Sequence, residues 1–267
     1  MGADIKSLRT RIKSVDSTLH LTKAMGLVAS SKIRRANEAM FHSRDYAAAV
    51  ERAVGMLTAC AECRKSPYMR PAPEDGGRTR LIVIAGDRGL AGGYNANIMR
   101  LMREWQDAEV LAIGKRACDR FGQPFVSSEH FGYADARALA DAQCADFRSG
   151  GFDRLGIVCT RYVSVMTQEA HIRWLLPLTA DKSVTATGAI FEPNERTILD
   201  EAVPTYVAGE LIAAIRESFA SEVAARRTAM DSAGKNAQTM IDDLQLSYNR
   251  ARQGAITQEI TEIVAGS

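Results

Sequence analysis

Proline breaks helices, and all seven prolines of this 267-residue chain lie between Pro67 and Pro204. The first 66 residues and the last 63 are therefore free to form long uninterrupted helices. The N-terminal stretch carries a period: Ile5, Leu8, Ile12, Val15, Leu19, Thr22, Gly26, Ala29, Ile33, Ala36 and Met40 follow in steps of three and four. The register continues through Ser43, Ala47, Val50, Val54, Leu57 and Ala61. A seam held at 3.5 residues over so many turns predicts a left-handed coiled coil, because a helix lying on a globular core drifts to 3.6. At ~1.5 Å per residue it reaches roughly 85 Å. A partner seam recurs near the other end, in Ala237, Ile241, Leu244, Tyr248, Ala251 and Ala255, with a helix expected from about Thr205 to Val264. Small residues dominate both seams and predict close approach of the backbones, hence a thin shaft. A plain helical hairpin or a dimerisation arm fits the same period.

The middle has a different texture. Twelve of the 17 aromatic residues fall between Tyr68 and Phe191, where a core needs bulk. Strands are expected at Leu81–Ile84, Val110–Ile113, near Phe125–Val126, at Leu155–Thr160 and at Glu169–Leu175. Helices are expected between them, at Asn95–Gln106, Lys115–Phe121 and Asp135–Phe147. Alternation of this kind predicts a mostly parallel, open, Rossmann-like sheet. The domain reading is an N-terminal coiled-coil helix over 1–66 and a linker over 67–79 (Pro67, Pro71, Pro73, Gly76, Gly77). An α/β domain over 80–190 follows, then a return segment and C-terminal coiled-coil helix over 191–267. The fold class is thus α/β plus a long antiparallel coiled coil.

Composition excludes several functions. Lys and Arg number 34 against 32 Asp and Glu, a net charge of +2, which disfavours a polycation built to coat nucleic acid. Five cysteines without regular spacing suggest thiols kept reduced inside a cell. Met1–Ser7 has no apolar signal core, and Lys6 stands where a myristoylation motif needs Ser or Thr, so no leader or lipid is expected. No apolar run reaches the ~18 residues of a membrane helix, leaving only a peripheral membrane role.

The glycine-rich turn Gly86-Asp87-Arg88-Gly89-Leu90-Ala91-Gly92-Gly93 follows a strand, as phosphate-binding loops do. Its spacing is neither Gly-x-Gly-x-x-Gly nor a P-loop, and Asp87 offers negative charge to any phosphate. It reads as a structural turn. Cys60 and Cys63 form a lone Cys-x-x-Cys without further ligands, read as helix surface plus seam. His20, His42, His130 and His171 are scattered, no Gly-x-Ser-x-Gly occurs, and Asp242-Asp243 lies on a predicted helix. No catalytic, metal-binding or cofactor-binding residue is expected. The first 35 residues hold eight basic side chains (Lys6, Arg9, Arg11, Lys13, Lys23, Lys32, Arg34, Arg35) against Asp4 and Asp16. No aromatic precedes Phe41 to stack on bases. A positive shaft facing acidic partner surfaces is the simpler reading. A nucleic-acid-binding coiled-coil protein is the alternative, and a dinucleotide-dependent enzyme a third.

The segments Ile5-Lys6-Ser7-Leu8-Arg9-Thr10-Arg11-Ile12-Lys13-Ser14-Val15, Leu21-Thr22-Lys23-Ala24-Met25 and Ala29-Ser30-Ser31-Lys32-Ile33-Arg34-Arg35-Ala36 resemble the N-terminal helix of the γ subunits of rotary F-type ATP synthases. The run from Leu244 to Val264 is similar to the other half of that shaft, and Asp87-Arg88-Gly89-Leu90 with Gly92, Gly93 and Asn95 to the family's central motif. From about Arg100 to Ile190 the likeness is one of layout only. The resemblance implies a non-catalytic central stalk without cofactors. Its coiled coil turns inside an α3β3 hexamer, with an epsilon subunit and the membrane c-ring as further partners, at the cytoplasmic face of a bacterial cell membrane. It implies that Arg252 and Gln253 catch a loop of one β subunit. Arg226, Thr257 and Glu259 match further coupling positions, and Lys23 and Met25 the region facing the β lever arm. Phe191 and Glu192 match the contact with the c-ring. Gly26 replaces a larger helix former, Ala91 stands where many relatives have Cys, and Gly254 follows the catch pair. The regulatory insertion of chloroplast members is absent, so Cys60 and Cys63 do not correspond to that switch.

Overall fold

The computed structural model describes residues 2–73, 77–180 and 191–266. Gly76 of the expected linker and the last ten residues of the 80–190 stretch lie outside them. The chain divides into two compact units, Met1–Ser31 with Arg226–Ser267, and Lys32–Ala225.

Helix α1 runs without a break from Gly2 to Thr58, and α5 from Glu195 to Ala265. In α1 the hydroxyls of Thr10, Ser17 and Thr18 donate to carbonyls four residues back, so these poor helix formers bond to the helix itself. Every seam position from Ile5 to Leu57 is buried or half-buried, while the flanking positions are mostly exposed. The period ends there, because α1 stops at Thr58 and Ala61 is exposed.

In the first unit the two helices run antiparallel. Leu19 packs with Ala237 and Ile241. The Cβ that Gly234 lacks would stand 3.6 Å from Thr22 Oγ1, and the one that Gly26 lacks 3.7 Å from Met230 Cβ. Partner numbers fall as α1 advances, at a nearly constant sum. The small residues in these seams are what permits the short separation, as the sequence suggests.

In the second unit α1 and α5 again pair antiparallel, with Gly209 against Ala47 and Ala220 against Ala36 and Met40. The rest of this unit is a four-stranded sheet with flanking helices. Its elements are β1 (Thr79–Ile84), α2 (Tyr94–Leu101), β2 (Glu109–Ile113), α3 (Lys115–Phe121), α4 (Tyr133–Ser149), β3 (Arg154–Tyr162) and β4 (Gln168–Leu176). The strand order is β2-β1-β3-β4. The pairs β1–β2 and β1–β3 are parallel and β3–β4 antiparallel, with Val83 opposite Ala112 and Val158, and Val158 opposite Ile172. Residues Leu81, Val83 and Val158 on one face pack on Ile98 of α2 and on Ala117 and Cys118 of α3. Ile82, Ile84 and Ile157 on the other pack with Phe147 of α4 and with Val203, Val207 and Leu211 of α5.

Four expectations need correction. Phe125–Val126 is not a strand: the edge of β2 is closed instead by the Gln123 carboxamide, which accepts from the Ala112 amide at 2.8 Å and donates to the Val110 carbonyl at 2.6 Å. That leaves Val126 only its carbonyl bond from the Gly114 amide, at 2.8 Å. The helix expected to Gln106 ends at Leu101 and continues as a 3₁₀ turn, Met102–Glu104. Helix α5 begins ten residues before Thr205 and contains Pro204. Leu199, Val203 and Val207 are fully buried on one stripe, and that burial outweighs the single helical bond proline removes. Cys60 and Cys63 lie beyond α1, and Cys63 sits in a 3₁₀ turn, wholly buried in the core rather than on a helix surface.

Candidate functional site

Two places hold the sequence's candidates: the glycine-rich turn and the shaft. In the turn, Gly86 leaves β1 with its amide donating to Asn95 Oδ1 at 2.9 Å, and Asn95 Nδ2 donates to the Arg88 carbonyl. The carboxylate of buried Glu222, on α5, fills the place of a Gly86 side chain, 2.7 Å from the ideal Cβ. Asp87 accepts bonds from the amides of Lys115 (3.1 Å), Ser128 (3.0 Å) and Glu129 (3.2 Å) and from Ser127 Oγ (2.6 Å). Those donors, one at the start of α3, are the kind that cradle a phosphate elsewhere; here a side-chain carboxylate uses them. Burial opposes the charge on Asp87, but the Ser127 hydroxyl and the three amides outweigh it and hold the carboxyl below its ordinary range. The turn is a self-satisfied joint between β1, α3 and α5. Gly114 is indispensable to it: its φ is +92°, and a Cβ would stand 1.9 Å from the Ala85 carbonyl oxygen.

Glu129 extends this joint to α1. It receives Lys32 Nζ at 2.7 Å, with Arg88 at 3.8 Å on its other oxygen, and the Lys32 bond holds its carboxyl below the usual value. Lys32 is therefore anchored, while Lys6, Arg9, Arg11, Lys13, Lys23, Arg34 and Arg35 are exposed as the basic-shaft reading requires.

On the first unit's helices the candidates fall in two groups. Lys23 is exposed and Met25 half-buried on α1, and Arg226 is half-buried on α5. Arg252, Gln253, Thr257 and Glu259 are all exposed towards the end of α5; Thr257 Oγ1 donates to the Gln253 carbonyl at 2.9 Å. Arg226 and Arg252 stand about 39 Å apart along the helix, so these are two contact zones and not one site. By the constant pairing sum, α1 runs out opposite the residues next to Gly254. Beyond it, Ile256, Ile260, Ile263 and Val264 of α5 are 46 to 72% exposed. In the second unit, Phe191 is half-buried against the core and Glu192 exposed.

Buried charge on α5 is what sequence reasoning missed. Glu210 and Glu217 lie on the apolar stripe of the helix, seven residues apart, and both are buried. Arg173 of β4 reaches both, at 2.8 and 3.3 Å, and Arg44 of α1 reaches Glu217 at 2.7 Å. Two glutamates seven residues apart, in register with Val203, Leu199 and Ala224 of the buried stripe, were the available signal.

The whole chain aligns with known proteins. The family model described as ATP synthase matches residues 4–267. The ATP synthase gamma chain of Ruminococcus albus is 40% identical over 287 aligned residues, which cover 99% of this chain and 98% of that protein. The chain belongs to the ATP synthase γ chain family. Another relative, from Acetobacterium woodii, bears the name "ATP synthase gamma chain, sodium ion specific" and is 35% identical over 100% of this chain and 99% of its own length. Among solved structures, a chain of the Euglena gracilis mitochondrial ATP synthase matches with a TM-score of 0.72 at 18% identity, covering 99% of this chain and 94% of its own. A chain of the Tetrahymena thermophila central stalk and c-ring matches at 0.60, with 20% identity, over 80% of this chain and 99% of its own. At those identities the match is one of fold, and it is the expected one: long terminal helices flanking an open sheet. None of these relatives lends support to a nucleic-acid-binding role.

Proposed function

We propose that this chain is the central rotor subunit of an F-type ATP synthase, coupling ion passage through a membrane ring to ATP synthesis or hydrolysis in partner subunits. Within that reading it has no catalytic centre of its own, and it works at the cytoplasmic face of a bacterial membrane as a peripheral component. Among the described residues no helix is long and apolar enough to cross a membrane.

The observation that carries the reading is the end of α5. A helix end that exposes Ile256, Ile260, Ile263 and Val264 along one face is costly in water, and apolar side chains of the surrounding subunits would cover that face. Below it, Arg252 and Gln253 are free to engage one β subunit at a time, Arg252 with a permanently charged donor fork. Thr257 and Glu259 share that zone. Lys23, Met25 and Arg226 form a second zone nearer the second unit's residues in sequence, and Phe191 with Glu192 faces the c-ring. An epsilon subunit completes the rotor.

Coupling then follows from asymmetry. Two unlike helices present different side chains to each of three surrounding catalytic subunits, so each binding site has a different preferred conformation. Turning the shaft exchanges those preferences, and by linkage nucleotide binding in the subunits pushes the shaft round.

Purification of the complex from its native membrane tests this. The expected result is co-elution of this chain with α, β and c subunits. A chain that elutes without them and shifts DNA in a salt-dependent manner would contradict it.

A further inference from the structure

Buried Glu210 and Glu217 anchor one network in the second unit, across α1, α5 and the β3–β4 edge. Arg173, on edge strand β4, is held between Glu210 and Glu217 of α5; Arg44 of α1 meets Glu217 from the other side. Glu217 Oε1 also accepts the Tyr162 amide, at the end of β3, at 2.9 Å. The Glu217 side chain is 2% exposed. Burying such carboxylates gives little stability over well-packed apolar residues of the same volume. Something other than net stability has to account for them.

The surroundings supply that account. The buried stripe of α5 here mixes Ala208, Ala213, Ala214, Ala220 and Ala224 with Val207, Leu211, Ile212 and Ile215. Apolar attraction is without direction, so it opposes separation better than it fixes an orientation. Charge-assisted bonds from a rigid guanidinium fork are directional, and displacement of β4 along α5 breaks them. We propose that Arg173, with Glu210, Glu217 and Arg44, is a torsional coupling: it fixes the register of the β3–β4 edge on α1 and α5 so that load on the sheet reaches the helices without slip. These are positioning residues, and the inference rests on the rotor reading.

The test uses the assembled complex with the shaft stalled and a probe on Met166→Cys, an exposed position in the β3–β4 turn. Probe-angle variance, rotation speed under viscous load and melting temperature are read for Arg173→Met, Glu217→Gln and Arg173→Lys. The coupling predicts a severalfold wider angle distribution and slower loaded rotation in the first two, with unloaded ATP hydrolysis near wild type. Arg173→Lys, keeping the charge without the fork, falls between. A lower melting temperature with unchanged angular variance would make the network merely structural and overturn the proposal. Should the first two variants fail to assemble, Arg44→Met, at the network's half-exposed end, is read by the same two outcomes. Failure of the wild-type chain to assemble with α and β subunits is a different result, and refutes the rotor reading instead.

Discussion

At the scale of single residues, two glycines make opposite predictions. Gly26 lies in the middle of α1 with ordinary van der Waals room for a methyl group, its nearest neighbours being Asp231 Oδ1 at 3.5 Å and Met230 Cβ at 3.7 Å. Gly26→Ala should therefore raise stability by about 0.5–1 kcal/mol, the helix-propensity difference, in a denaturant titration; a loss would mean that the seam needs the gap. Gly114→Ala should be destabilising by about 3 kcal/mol or more, because φ and the Ala85 carbonyl both forbid a side chain. Asp87 gives a pH prediction. Its folded carboxyl is held below the ordinary aspartate value, so its stabilisation is complete above about pH 3.9 and is lost as pH falls through the lower folded value. Asp87→Asn should flatten the acid limb of the stability curve; an acid limb as steep as wild type's would remove Asp87 from the explanation.

At the scale of elements, the seam was the most legible feature. Every seam position from Ile5 to Leu57 is buried or half-buried because a long paired helix has one main neighbour, and local spacing then decides burial; only Thr58 among the described buried positions of α1 lies off the seam. Strands β1 and β3 were legible as apolar runs because central strands are buried on both faces. Failures came where a side chain rather than backbone pattern decided: the Gln123 carboxamide took the β2 edge from Phe125–Val126, and core contacts carried α5 back through Pro204. The candidate positions Arg252, Gln253, Thr257 and Glu259 came from resemblance, since exposed helix residues leave no periodic trace. The buried Arg173–Glu217 network was hidden because pairing across β4, α1 and α5 spans long sequence separations. One prediction belongs here. Ile260→Asp, on the exposed end of α5, should leave the melting temperature of the isolated chain unchanged, since its side chain is 56% exposed, while weakening assembly with α and β subunits. Unimpaired assembly would show that no apolar side chains cover the tip.

At the scale of the molecule, two kinds of attachment occur. The first unit's exposed, unevenly decorated helices suit a surface that must pass from one neighbour to the next. The second unit's sheet and its loops are tied to α1 and α5 by Glu129, Glu217 and Arg173. Arg252→Ala should accordingly reduce torque and coupled ion pumping while the chain keeps its helicity by circular dichroism; full coupling would remove Arg252 from the catch. The central claim is tested most directly by watching the chain turn. With α3β3 fixed to a surface and a bead on Met166→Cys, addition of ATP should give rotation in one direction, pausing three times per turn. ATP consumed at the normal rate with a bead that only jitters about one angle would contradict it.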